Sequence, residues 1–205
     1  MTTILLAGFG AFPGAPVNPT TALVARLARA ARRRGLHCIP HVFATRYAAV
    51  DRELPALIAA HRPDAIVMFG LAGRRRRVSI EICARNRMSA CIPDAGGAVP
   101  QRRTITPGAP AMARGRAPFA KLLAAARATR VTTALSRDAG AYLCNYVYWR
   151  ALEAAAKPGG PRLAVFIHVP RVGQKFRPRK RAKQRQFTFD ELVRVGGAIV
   201  AAVRA

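Results

Sequence analysis

The sequence predicts an α/β fold: one domain over residues 1–205, a three-layer α/β/α sandwich around a mostly parallel, mixed and twisted sheet. Three observations predict it. Short apolar runs alternate with amphipathic stretches at the spacing of strand–helix–strand units. The composition, 51% hydrophobic and 21% charged, is that of a packed protein. At 205 residues without an internal repeat, the chain buries roughly 70% of its unfolded surface in one core and needs neither metal nor disulfide to hold it.

The elements follow in order. Residues 3–7 form a short buried strand, and the loop GFGAFPGAPVNP, dense in Gly and Pro, follows it. Asn18 suits an N-cap and Pro19 the first helical position, so a helix opens there. Leu23, Leu27 and Ala30 supply its apolar stripe, and Gly35 stops it. Residues 38–43 read as a second strand, 47–60 as a helix, and 64–69 as a third strand ending at Gly70. Residues 78–84 alternate as one strand. Residues 91–116 are a long connection rich in Gly, Pro and Arg, and connections of that length are usually functional. A helix over 118–128, a strand over 131–136 and a helix over 141–156 come next. Residues 162–169 are a strongly apolar strand running into Pro170. Residues 171–187 hold eight basic groups and no acid, a solvated loop or disordered segment, before a closing helix over 190–204.

Charge narrows the function classes less than its size suggests. Lys and Arg total 35 against nine Asp and Glu, a net charge of +26. Such a field attracts polyanions, and nonspecific adhesion to them is expected. The excess is nearly all arginine, spread along the chain beside abundant alanine, which is the usage of a GC-rich genome. The basic run is interleaved only with Phe176 and Phe187, so it offers no stacking platform for nucleic acid. No apolar run approaches the ~20 residues that span a bilayer. The first residues lack a basic leader and read as a strand, so a cytoplasmic location with reduced thiols is expected. Cys38, Cys83, Cys91 and Cys144 form no CxxC pair, and the histidines form no HxxxH or HExxH motif. No metal and no cofactor are implied.

Catalytic side chains of an α/β fold sit at strand ends. Cys144, in SRDAGAYLCNY, lies near the start of a helix, where the dipole and free N–H groups lower a thiol pKa. His168, in VFIHVP, emerges at the end of an apolar strand and would serve as its base. Glu81 is a carboxylate in the otherwise apolar SIEICARN and would orient the imidazole. Each has a plainer reading. Cys144 alone is a small buried hydrophobe, His168 a structural hydrogen bonder, and Glu81 the partner of Arg85, Arg87 or the run Arg74 to Arg77.

The motifs resemble those of the pyroglutamyl peptidase I family, also called pyrrolidone-carboxylate peptidases, and they run in family order over nearly the whole chain. LLAGFGAFPGAPVNPT resembles the family's GF-x-PF-GG…NP loop. MFGLAGRRRRVSIEICARN resembles its GL/GQ-A-GR…I-x-x-E-x-x-A-x-N block, and CIPDAGG its RIPDN-x-G block. TPGAP is like the segment that follows, LSRDAGAYLCNYVYWRAL resembles S-x-x-AG-x-YLCN, and VFIHVP resembles FIHVP. The resemblance implies a cysteine exopeptidase that removes N-terminal pyroglutamyl residues from peptides through Cys144, His168 and Glu81. It implies that Phe9 and Phe12 hold the lactam ring, and that Asn18 and the backbone at Leu71 meet its polar edge or shape the loop. Ile92 and Leu143 match apolar walls. A homo-oligomer, dimer or tetramer, is implied as well. The chain departs from the pattern at Cys91, where the family writes Arg, with Arg85 or Arg87 as candidate replacements. Ala11, Pro13 and the stretch AMARGRAPF also depart. Two alternatives remain: a catalytically degenerate member, and a basic polyanion-binding protein on the same fold.

Overall fold

Two-residue alternation in the strands sorts the side chains into two apolar layers. In β1 (Thr3–Phe9), Ile4 and Leu6 join one core cluster while Leu5, Ala7 and Phe9 join the other. The computed structural model describes residues 2–173 and 186–203, and in it the first layer is closed by three helices. These are α1 (Pro19–Arg32), α3 (Phe119–Ala128) and α5 (Phe189–Val203). The opposite layer is closed by α2 (Tyr47–His61) and α4 (Leu143–Ala156). This is the expected three-layer α/β/α sandwich.

The central sheet has six strands. β2 (His37–Phe43), β1, β3 (Ala65–Leu71) and β8 (Leu163–Val169) lie side by side and parallel. β4 (Val78–Glu81) joins antiparallel to β8, and β7 (Thr133–Ser136) runs parallel to β4 at the edge. The sheet is therefore mostly parallel and mixed. β3 and β8 are buried along nearly their whole length, as strands covered by helices on both faces must be.

Local chemistry sets the element ends. Asn18 caps α1 by accepting from the Thr20 N–H at 3.1 Å, with Pro19 in the first turn. Gly35 turns the chain out of that helix at φ +71°, a left-handed conformation that favours glycine. α2 has no cap from its own N-cap side chain; instead Asp94, 3% exposed, accepts from the Tyr47 N–H at 3.0 Å. The same carboxylate accepts from Gly96 and Ala98 N–H groups at 2.8 and 3.0 Å, so the CIPDAGG block folds its own loop onto the start of α2.

Two readings from the sequence are corrected. Residues 78–84 are not one strand. β4 ends at Glu81, and β5 (Cys83–Arg85) leaves the sheet to pair antiparallel with β6 (Met112–Arg114), which itself interrupts the expected 91–116 loop. Ile82 marks the break: its N–H bonds to Ser136 and its carbonyl to Gly115. Of the basic run expected at 171–187, residues 174–185 lie outside the described residues. At its described ends Val172 bridges to Phe187. Among the described residues no helix is long and apolar enough to cross a membrane.

Candidate active site

Antiparallel pairing of β4 with β8 builds the polar half of the site. Ser79 lies opposite His168 and Glu81 opposite Phe166, so Glu81 and His168 are diagonal neighbours on one face. Their side chains meet: His168 Nδ1 and Glu81 Oε1 are 2.8 Å apart. Glu81 has no exposure and His168 only 5%. A buried carboxylate needs compensation, and a second group supplies it. Arg75 donates from Nη1 to Glu81 Oε1 at 2.5 Å and to Ser136 Oγ at 3.3 Å, and from Nη2 to the Asp138 carbonyl. The imidazole contact and the ion pair of Glu81 coexist, because one carboxylate oxygen takes both partners.

The sulfur comes from the other layer. Cys144 is the second residue of α4, whose N-cap, Tyr142, makes no side-chain cap bond. Asn145, wholly buried, fixes that helix start to β5. It accepts from the Arg85 N–H at 2.8 Å and donates to the Arg85 and Arg87 carbonyls at 2.7 and 2.9 Å. Gly70 is the point where the halves converge. It is the register partner of His168 on β3. A Cβ there would stand 2.9 Å from Cys144 Sγ and 2.5 Å from the Phe166 ring. Gly70→Ala is therefore expected to cost about 1–3 kcal/mol of stability and to cripple activity; equilibrium denaturation beside a turnover assay checks both.

Electrostatics corrects the expected thiol. Burial pushes the Cys144 thiol up to about 12, with the Glu81 charge adding to the rise, against the lowering by Arg75 and its own backbone N–H. The helix start does not yield a standing thiolate, because desolvation outweighs it. Burial holds His168 below its ordinary 6.5, only partly offset by Glu81. The imidazole is neutral near pH 7 and ready to accept a proton. Since its folded pKa lies below the unfolded one, its contribution to stability is present above about pH 6.5 and lost as pH falls through the folded value. The thermal midpoint is expected to drop from pH 7.5 to 5, less steeply in His168→Gln.

The other predicted residues divide by exposure. Phe12, half-buried, lies 6.3 Å from the ring of Tyr142, two residues before Cys144. Phe9 is 3% exposed and packs on Phe43 and Phe166, behind the site. Asn18, 6% exposed, donates to the Gly10 carbonyl at 3.0 Å while capping α1, so it binds the aromatic loop to the helix. Leu71 is half-buried at the end of β3, Ile92 is 49% exposed, and Leu143 is 1% exposed within the core. Cys91 is exposed. Neither candidate replacement for the missing cation is bonded to Glu81: Arg85 pairs with Asp138 at 3.8 Å and Arg87 lends its carbonyl to Asn145. Among the described residues no group of three His, Cys, Asp or Glu could hold a metal ion.

Sequence reasoning named the run Arg74 to Arg77 as a partner of Glu81 without singling out Arg75, and it missed Gly70 and Tyr47. Arg75 was hidden among four consecutive arginines, and Gly70 looked like a strand end only. Tyr47 packs edge-on against Tyr142 and Tyr146, with ring centroids 6.2 and 5.0 Å away. Its hydroxyl and Glu81 Oε2 are buried without a partner among the described residues. Burial raises the Tyr47 pKa, and Tyr142, Asp94, Tyr146 and Cys144 add to it.

Comparison with known proteins identifies the family. The family model described as pyroglutamyl peptidase matches residues 2–205. A pyrrolidone-carboxylate peptidase of Thermococcus kodakarensis is 33% identical over 167 residues, 82% of this chain and 80% of that one. One from Gloeobacter violaceus is 35% identical over 173 residues, again 82% and 80%. Among solved structures, the pyrrolidone carboxyl peptidase of Thermococcus litoralis superposes with a TM-score of 0.87 at 25% identity, covering 99% of this chain and 93% of that one. Pyroglutamyl peptidase I of Bacillus amyloliquefaciens gives 0.85 at 26% identity, covering 99% and 97%. By sequence and by fold, the chain belongs to the pyroglutamyl peptidase family of cysteine peptidases.

Proposed function

We propose that the protein hydrolyses the N-terminal pyroglutamyl residue of peptides, with Cys144 as nucleophile, His168 as base and Glu81 as the group that orients it. The observation that carries this reading is the buried 2.8 Å contact of His168 Nδ1 with Glu81, His168 being the register partner of Gly70, where a Cβ would stand 2.9 Å from the Cys144 sulfur. With Nδ1–H donated to the carboxylate, Nε2 keeps a free lone pair for the thiol proton. Because the resting thiol is held up near 12, proton transfer accompanies attack on the carbonyl rather than preceding it. The S–C bond forms, the carbonyl becomes an oxyanion, and uncapped N–H groups at the start of α4 are the donors that face it. Collapse expels the peptide amine, which takes the proton from His168. Water, deprotonated by the same imidazole, then releases pyroglutamate and restores the thiol.

The neutral lactam suits a site against the rings of Phe12 and Tyr142, and the Tyr47 hydroxyl, without a partner among the described residues, is a donor for its oxygen. Tyr47→Phe is expected to raise KM several-fold while raising stability by about 1 kcal/mol, since a buried orphan hydroxyl is removed; steady-state kinetics and thermal denaturation read the two effects. The full reading is a cytoplasmic homo-oligomer, one domain over residues 1–205, working without cofactor and adhering nonspecifically to polyanions.

The test is release of aminomethylcoumarin from pyroglutamyl-aminomethylcoumarin under reductant. Turnover is expected with this substrate and not with the glutamyl analogue, whose charges would be buried unpaired. A folded, reduced protein that turns over neither overturns the reading.

A further inference from the structure

Beside the triad lies a cavity of about 1080 Å³ that none of the chemistry above uses. Its lining includes neither Cys144, Phe12 nor Tyr142, so it is not the ring pocket. It meets the active site at Arg75, which lines the cavity and also bonds Glu81 at 2.5 Å, and the α1 cap Asn18 lines it as well. Two more arginines line it, Arg76 and Arg171, and no carboxylate does among the described residues. Apolar side chains such as Val17 and Phe187 complete its walls.

The guanidinium of Arg171 is positioned rather than loose. One Nη2–H is donated to the Gly14 carbonyl at 2.9 Å, and Gly73 backs the side chain so closely that a Cβ there would lie 2.5 Å from Nε. The remaining N–H groups form a fork suited to a carboxylate. Arg76 is exposed and supplies a second positive charge. The volume exceeds what a small flat lactam fills, and its position one residue from the catalytic carboxylate fits the part of a peptide that continues past the scissile bond.

We propose that this cavity receives the leaving-group side of the substrate and selects peptides with an acidic residue within the first few positions after pyroglutamate, held by Arg76 and Arg171. The proposal rests on the pyroglutamyl-peptidase reading for its catalytic consequence, while the affinity it predicts does not require turnover.

The experiment compares three C-terminally labelled peptides, pyroglutamyl-Ala followed by Glu-Glu, Gln-Gln or Lys-Lys. Wild-type kcat/KM for the Glu-Glu peptide is expected to exceed that for Gln-Gln by about tenfold, with Lys-Lys lowest. The gap should close in 0.5 M salt and in Arg76→Gln, and shrink in Arg171→Lys, which keeps the charge but loses the fork. Arg76→Gln should leave pyroglutamyl-aminomethylcoumarin turnover unchanged. Arg29→Gln, on the exposed face of α1, controls for the overall field and should leave the gap intact. Equal rates for Glu-Glu and Gln-Gln overturn the proposal. So does a gap that survives Arg76→Gln and Arg171→Lys, or one that Arg29→Gln reduces as much. If no pyroglutamyl substrate is cleaved, the reaction assignment falls separately, and fluorescence anisotropy of the same peptides on Cys144→Ala still decides the acidic preference.

Discussion

Cys144→Ala is expected to lower kcat for pyroglutamyl-aminomethylcoumarin by about 10⁶-fold, the scale on which the loss of an attacking nucleophile acts. The structure allows this to be a clean measurement. The change removes one sulfur atom that sits half-buried over Gly70 and leaves the helix start, held by Asn145 against β5, intact. Circular dichroism and the thermal midpoint should therefore stay near wild type while turnover vanishes. Loss of activity accompanied by loss of fold would not identify the nucleophile, so the two readouts belong together. A well-folded variant that retains more than about a thousandth of the wild-type rate would show that another group attacks. Iodoacetamide should reproduce the loss with the wild type, slowly, because the resting thiol is protonated.

Glu81→Gln is expected to lower kcat by about 10⁴-fold, as for other triads whose carboxylate is made neutral. The isostere keeps the shape but changes three things. Arg75 loses the charge that compensates it in a largely buried position, with its side chain 25% exposed and that of Glu81 not at all. His168 loses the anion that stabilises the imidazolium formed during attack. The amide NH₂ takes the place of Oε1 or Oε2, and Oε2 already has no partner among the described residues. Breaking this buried pair should also cost about 3 kcal/mol of stability. A pH–rate profile separates orientation from simple destabilisation. If Glu81 acts through His168, the acidic limb of kcat/KM moves to lower pH in the variant, since the carboxylate is what holds the imidazole pKa up against burial. An unmoved limb would leave Glu81 a structural ion pair only.

Much of this arrangement was legible in the residues themselves. The alternation of strands and helices, the Asn18–Pro19 cap and the apolar run into His168 each follow from local chemistry, and each appears where that chemistry puts it. What failed locally was decided by partners far along the chain. Residues 78–84 alternate without interruption, yet the strand breaks at Ile82 because its two ends pair with different strands, β7 and β6. Four arginines in a row give no sign of which one meets Glu81; the pairing of β4 with β8 chooses Arg75 by bringing the carboxylate to that loop. The thiol was misjudged for the same reason. A helix start can be read from sequence, while the desolvation that outweighs it depends on what folds over the sulfur.

The position of β4 bears on when activity can first exist. Glu81 reaches its site only when β4 is flanked on one side by residues 133–136 and on the other by residues 163–169. During synthesis from the N-terminus, β1, β2 and β3 can pair while the ribosome is still making the middle of the chain, but the acid waits for a strand nearly ninety positions later (|i−j| = 87 to His168). With the proposed triad, the growing polypeptide carries its nucleophile before it has a base, and it would remain inert toward nearby N-termini until the last sheet strand has docked. Catalytic competence is in this sense a report that the long-range topology is complete.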